Sequence, residues 1–369
     1  MNASDGRLTS AKRFLIALLV VALVMAATGG VLLLNGARQV RVTIVAGLQL
    51  PGAPVIDKTV AESYNTIVST ANLLAEAYPD LVTVGSAGQS AAGRDLVMLK
   101  VGTGDKKALV VGAVHAREHL TTKFLLCLVN DYCIAYQTGA AVGTFDVKTL
   151  LEAYTLYVLP CANPDGLEIV FSRETPDEGV TVSALDEYKA NKAGIDINRN
   201  FPLNWEGLQN GVTAPADYWY KGAAPADAVE TQALMDLCDA NDFAFLLSVH
   251  VKGDVIFWGN DYDPSGSAAS RDFAKALCKS SGFAMTDPLT DPNDYAGGFE
   301  DWFRFTYGRP GVCVELVDTG VAIQPCGNAN YADFDGTVQY SESYTVVAAA
   351  MNYMESVKKA DEPTTVSRK

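Results

Sequence analysis

The chain is poor in histidine, poor in basic side chains and without a CxxC pair. Its 369 residues carry 28 Lys and Arg against 43 Asp and Glu, a formal net charge of −15. That balance argues against nucleic acid or an anionic lipid surface as the main partner, because both are met by a basic face. Seven cysteines stand at 127, 133, 161, 238, 278, 313 and 326. With no CxxC pair among them, nothing in their spacing points to a thiolate zinc cluster, and their odd number leaves any disulfide, such as Cys313 with Cys326, unassigned. No internal repeat is visible. Only three histidines are present, His115, His119 and His250, so the place of each one matters.

The stretch 109–119, LVVGAVHAREH, organises the rest. An apolar run reads as a buried strand, and the polar cluster that ends it falls in the turn beyond the strand, where open α/β sheets keep ligands. Neutral imidazole and carboxylate are what catalytic zinc accepts, commonly two His and one carboxylate with a fourth position left for water. His115 and Glu118 fill two of those places, and His250, ending the strand-like run 245–249, supplies a third from a second strand end. A surface turn of chance spacing is the plain alternative for HxxE alone. A second zinc reading, HxxEH, puts both His115 and His119 on one helix face with Glu118 as base. It needs His115 to be helical already, whereas Val114 still follows the strand pattern, so the local pattern favours HxxE in a turn and a helix over 120–136.

Residues 14–34 form an uncharged apolar run with Arg7, Lys12 and Arg13 before it and Arg38 and Arg41 after it. About 20 apolar residues cross a bilayer as a helix. The expectation is a single transmembrane anchor with a cytoplasmic tail at 1–13, although Ala26, Ala27 and Gly29 also offer a signal-cleavage site. Either way the folded part is exported: a linker at 35–58, a catalytic domain at 59–358 and a polar tail at 359–369. Helical spacing from Glu62 to Ala77 opens the domain, strands at 81–85 and 95–101 flank the turn-rich GQSAAGRD as a hairpin, and a strand at 154–159 ends in the turn formers NPDG. The segment 188–202 is polar enough for a solvated loop. Asp227 caps a helix over 228–240. Strands at 243–250 and 254–258, a helix at 268–280, the apolar CVELV at 313–317 and a last helix at 341–358 follow. Strands alternating with helices predict an α/β fold, a mixed, mostly parallel sheet with helices on both faces. About 300 residues remain after the ends are removed, enough for one large domain.

Taken in order, YPDLVTVGSAGQSAAGRD, HARE, NPDG, GIDINRNF, YKGAAPADAVET, SVH, GGFEDW and ELVDTG resemble the zinc metallocarboxypeptidases of the carboxypeptidase A and B type. The resemblance implies one Zn2+ ion held by His115, Glu118 and His250, with His119 left to the helix beyond. Asp196 matches a carboxylate that hydrogen-bonds the first zinc histidine, and Glu315 matches the general base. A Glu at the centre of an apolar strand is suspicious unaided, since burial without a partner or a function is costly. Asn198 and Arg199 match the pair that grips the substrate's terminal carboxylate, for which the planar guanidinium is suited. Lys189 is the nearest counterpart of an oxyanion-stabilising arginine, at a shorter spacing. Tyr295 is the candidate for a mobile tyrosine, although Asn293 stands at the matching position. Glu300 matches a residue at the bottom of the side-chain pocket, where an acid goes with basic substrate side chains; an exposed surface Glu is its plain alternative.

The YKAN–GIDINRNF arrangement, HVKGDVIFW and GGFEDWF with RPG resemble the bacterial branch that cleaves γ-D-glutamyl-diamino acid bonds in cell-wall peptides. A peptide or muropeptide substrate, no nucleic-acid partner, contact with the cell membrane through the amino-terminal helix and a monomer are therefore expected. A general exopeptidase for secreted peptides is the second enzymatic reading. A dead relative that only binds peptide ends would lack a ligand or the base, and all four residues are present.

Overall fold

Apolar runs and amphipathic stretches alternate along the chain and assemble into one mixed sheet between two layers of helices. The computed structural model describes residues 52–261, 263–290, 297–321 and 328–361. Among these, the strands are β1 (Val82–Gln89), β2 (Asp95–Val101), β3 (Lys106–Val111), β4 (Tyr154–Leu159), β5 (Phe243–Val251), β6 (Val255–Phe257), β7 (Ala284–Met285) and β8 (Gly311–Leu316). Their spatial order is β1-β2-β4-β3-β5-β8-β6-β7. The central β4, β3, β5 and β8 are parallel neighbours, and β1–β2, β2–β4 and β6–β8 pair antiparallel. The expected mixed sheet and the β1–β2 hairpin around GQSAAGRD are both present.

The helices are α1 (Tyr64–Ala77), α2 (His119–Thr138), α3 (Val147–Ala153), α4 (Pro164–Phe171), α5 (Val229–Asp239), α6 (Pro264–Ser281), α7 (Phe299–Tyr307) and α8 (Val346–Asp361), with three short turns at Asn328–Ala332, Phe334–Thr337 and Tyr340–Ser343. Side chains of β3 divide by parity. Ala108 and Val110 join the core packed by α1, α2, α6 and α8, while Leu109 and Val111 join the one packed by α5 and α7. Apolar residues on both faces explain why the central strands read as continuous runs, since a parallel sheet covered by helices has no wet side.

Several expectations are corrected. The strand ahead of the HARE turn ends at Val111, not Val114, because Ala113 takes φ 43° and breaks the extended chain. NPDG opens a helix: Asn163 accepts the Gly166 N–H at 3.0 Å, and Pro164 sits at the first helical position, where its missing N–H costs nothing. Asp227 does not cap α5, whose preceding residue Ala228 offers no side-chain bond; its carboxylate takes the N–H groups of Ala223 and Ala224 instead. α3, β7 and α7 were not expected. α6 starts earlier than 268, with Asp263 as its cap ahead of Pro264. The last helix is broken at Tyr344 and Thr345, and α8 runs three residues into the stretch expected as tail, to Asp361. The end of the expected linker is packed on the domain, with the Asp57 carbonyl accepting from Lys123 at 2.5 Å and Lys58 2.7 Å from Asp335. The anchor expected at 14–34 lies outside the described residues. Among those described, no helix is long and apolar enough to cross a membrane.

Candidate metal centre and substrate site

The parallel neighbours β3, β5 and β8 bring their carboxyl ends to one edge, and in register His250 lies opposite Glu315 and Ser248 opposite Cys313. Residues two apart on a strand share a face. Val249 and Val314 face the α2 side, so Ser248, His250, Cys313 and Glu315 face the other, where loop 188–202 lies. Beyond β3 the chain bends at once. A Cβ on Gly112 would stand 2.9 Å from Leu125 Cδ1, and Ala113 adopts the left-handed conformation, held by its N–H to Thr121 Oγ1 at 2.8 Å. This conformation costs about 1–2 kcal/mol off glycine, and it turns His115 to Glu118 back over the sheet edge. Glu118 ends up at the amino terminus of α2, where the helix dipole favours a carboxylate.

His115, Glu118 and His250 come together and are buried, with one donor atom from each lying within 4.8 Å of the others. His115 Nδ1 is 2.8 Å from Glu118 Oε1, His250 Nδ1 is 3.0 Å from Glu118 Oε2, and the two Nδ1 atoms are 3.2 Å apart. Their far nitrogens are engaged elsewhere, with His115 Nε2 3.3 Å from Asp196 Oδ1 and His250 Nε2 2.9 Å from Ser248 Oγ. His115 faces a carboxylate from each ring nitrogen, Asp196 at Nε2 and Glu118 at Nδ1, and a carboxylate only accepts; with a cation in the cluster the proton would stay on Nε2 and the Nδ1 lone pair would point to the ion. Inward-facing imidazole nitrogens around a carboxylate fit the donor set of a catalytic zinc with one position open. His119, by contrast, is the first residue of α2, its ring 6.1 Å from Phe171 and outside this group. The HxxEH arrangement is therefore not the one formed.

The electrostatics follow from burial. Burial alone would raise the Glu118 carboxyl, but His115 and His250 outweigh it and hold Glu118 well below the usual range. Asp196 behaves likewise, lowered chiefly by His115 against its own burial. Glu315 goes the other way. Burial, and then the Glu118 and Glu300 carboxylates, push it well above the usual range against the pull of Lys189 and Arg117. Glu315 Oε2 has no hydrogen-bond partner among the described residues, and neither has Glu300 Oε2. Glu300 is buried, in the first turn of α7, so the plain reading of it as an exposed surface acid does not hold.

The remaining candidates lie on loop 188–202. The Lys189 carbonyl accepts the Ala116 N–H at 3.1 Å, which ties the loop to the HARE turn, and Lys189 Nζ reaches 3.9 Å from Glu118 Oε1. Asn198 is buried and accepts the Phe299 N–H at 2.9 Å. Arg199 donates from Nη1 to the Asn198 carbonyl at 2.7 Å, and its guanidinium lies 4.6 Å from the Trp219 ring centre. Gly297, at φ 78°, lets segment 297–299 pass directly over this pair, where a Cβ would overlap the Arg199 backbone. Tyr295 lies outside the described residues. The six described cysteines are unpaired; Cys313 Sγ is 3.9 Å from Glu315 Oε1, and Cys326 is not described.

Sequence reasoning missed three residues here. Ser248, holding His250, was legible from strand alternation two residues before the ligand. Asn163, whose amide donates to the carbonyls of Val114 (3.2 Å) and Ala190 (3.0 Å), and Trp219 carried no signal, because each acts through a fold that brings distant loops together.

The zinc carboxypeptidase family model matches residues 67–329. The chain is 30% identical over 266 residues to gamma-D-glutamyl-L-diamino acid endopeptidase 1 of Lysinibacillus sphaericus, an alignment covering 69% of this chain and 65% of that protein, just under two thirds of its length. It is 28% identical over 289 residues to carboxypeptidase B of Astacus astacus, covering 72% of this chain and 89% of that one. Among solved structures, bovine thrombin-activatable fibrinolysis inhibitor in complex with tick carboxypeptidase inhibitor superposes with a TM-score of 0.65 at 20% identity, over 81% of this chain and 99% of the other. Carboxypeptidase A from Helicoverpa armigera gives 0.64 at 20% identity, over 85% and 78%. At such identities the structural likeness is one of fold.

Proposed function

The chain belongs to the zinc carboxypeptidase family, whose members are zinc-dependent peptide hydrolases, and from that premise we propose that it hydrolyses amide bonds near the carboxyl end of a peptide. His115, Glu118 and His250 would hold the zinc, Asp196 and Ser248 orienting the two imidazoles. The observation that carries this is the pairing of that buried donor group with Glu315, a buried carboxylate lacking a partner on Oε2 among the described residues and facing it from the next strand. Zinc, when bound, supplies polarisation of the carbonyl and acidification of water. Glu315 takes the proton from the attacking water and passes it to the leaving nitrogen, so the C–N bond breaks into a carboxylate and an amine without a covalent intermediate. Lys189 is the cation that stabilises the oxyanion, Asn198 and Arg199 receive the terminal carboxylate, and Tyr295 is the candidate for the tyrosine that contacts the substrate.

The substrate we propose is a cell-wall peptide cleaved between γ-D-glutamate and a diamino acid. The activity named for the Lysinibacillus sphaericus relative supports it, as does the chemistry of the site, since a diamino acid offers an amine to buried Glu300 and a carboxylate to Arg199. Glu300 equally supports peptides ending in Lys or Arg, the second reading, favoured by the likeness to a carboxypeptidase B. The run 14–34 would anchor the domain on the outer side of the cell membrane. The test is to incubate the zinc-loaded domain with muropeptides carrying the γ-D-glutamyl-diamino acid bond and with Lys-ended peptides. Faster release of the diamino acid supports the first reading and faster release of Lys the second. Indifference to both overturns each.

A further inference from the structure

Trp219 joins the two halves of the site through two different groups. Its main-chain N–H donates to Asp196 Oδ2 at 3.1 Å, in a register fixed by the Asp196 N–H bonding the Tyr220 carbonyl at 2.8 Å. Its indole lies under the Arg199 guanidinium, 4.6 Å from ring centre to Cζ. Trp219 reaches both only by taking φ 68°, a conformation that disfavours every residue with a side chain. A tryptophan kept there, half-buried beside an arginine rather than in the core, has a task that glycine would not perform.

We propose that Trp219 is a positioning residue whose ring face holds the Arg199 guanidinium in the plane that receives a substrate's terminal carboxylate. The inference rests on the reading of Arg199 as the carboxylate clamp. A planar guanidinium binds a carboxylate through two parallel bonds only when its plane is fixed. The Asn198 carbonyl restrains one edge of it at 2.7 Å and the indole restrains its face. The main-chain bond to Asp196 does not depend on the side chain, so the histidine side of the site keeps its support when the ring is changed.

The experiment compares Trp219→Leu and Trp219→Phe in the zinc-loaded protein, with Arg199→Ala alongside, on whichever of the two substrate classes the parent cleaves and on the same substrate amidated at its carboxyl end. Leu and Phe carry the same backbone burden as Trp, so the pair separates ring face from bulk. Zinc content and circular dichroism confirm folding. Loss of a cation–π contact should raise KM for the free acid roughly three- to tenfold in the Leu variant, with kcat changed much less. The preference for acid over amide should narrow by the same factor, and Phe should restore most of it. A Leu variant with the parent's KM, or a Phe variant no better than Leu, overturns the proposal. An unchanged KM in Arg199→Ala removes the clamp itself, and the proposal with it.

Discussion

His119→Gln separates the two ways of reading HAREH and tests how the domain responds to acid. His119 is buried at the start of α2, where burial, opposed by a main-chain bond to Glu62, lowers its pKa from 6.5 to about 4. The folded state therefore binds its proton less readily than the unfolded chain. Between these two values stability rises with pH, and it is lost as pH falls from 6.5 towards 4. Taking 1.36 kcal/mol per unit, the difference between about pH 7.5 and about pH 5 is roughly 2 kcal/mol. Urea unfolding of the metal-free protein at both pH values, followed by circular dichroism, should show that loss in the parent and not in the variant. Glu315, whose raised pKa works in the opposite sense, is present in both proteins and drops out of the comparison. Zinc content at neutral pH should be the same in the two. Equal acid losses would refute the argument that a neutral, buried imidazole carries this dependence, and a zinc-free variant would show that His119 is a ligand after all.

Glu315→Gln should keep zinc and the fold while turnover drops by roughly 10²- to 10⁴-fold, the usual share of general acid–base catalysis; comparable turnover with zinc retained would remove Glu315 from the base's role. Asp196→Ala frees His115 Nε2, so zinc affinity measured against a competing chelator should weaken by about 10- to 100-fold, and an unchanged affinity would mean that the turn alone orients the ring. Lys189→Met takes away the cation 3.9 Å from Glu118 and should lower kcat by about 10²-fold with little change in KM. A rise in KM alone would assign Lys189 to substrate binding instead.

How much of this could be read beforehand divides along rigid and adaptable backbone. The strands at 154–159 and 243–251 are covered on both faces, so their sequence is a plain apolar run and their ends are sharp. His250 and Glu315 were legible because each interrupts such a run. The metal ligands inherit this, standing on strand ends or one turn beyond. Ala113 shows where the reading stops: nothing local in GAVHARE says that an alanine takes a positive φ, because that conformation is imposed by Thr121 and Asn163 from later in the chain. In the sequence NPDG reads as a turn for a related reason. Its residues are at once turn formers and a good helix start, and only the fold decides which. The pairing of Trp219 with Asp196 and Arg199 depends on two loops meeting, and no periodicity reports that.

Within the site, two carboxylates a short distance apart have been sent in opposite directions. Glu118 sits between imidazoles at a helix amino terminus and stays ionised. Glu315, opposite His250 on the neighbouring strand, has no imidazole of its own and feels Glu118 and Glu300 as like charges. Environments that drive the pKa values of paired acids apart are how one site obtains a fixed anion and a group that can exchange protons. The cations that bear on Glu315, Lys189 and Arg117, are drawn to other acids, Lys189 lying 3.9 Å from Glu118 and Arg117 pairing with Glu187. A cation in direct contact would hold Glu315 ionised and weaken it as a base, whereas at a distance it leaves the carboxyl able to take a proton and give it back. The register of β5 with β8 fixes ligand and base together, since a slip of either strand by one residue would turn its own side chain, His250 or Glu315, away from the cluster and into the helical core.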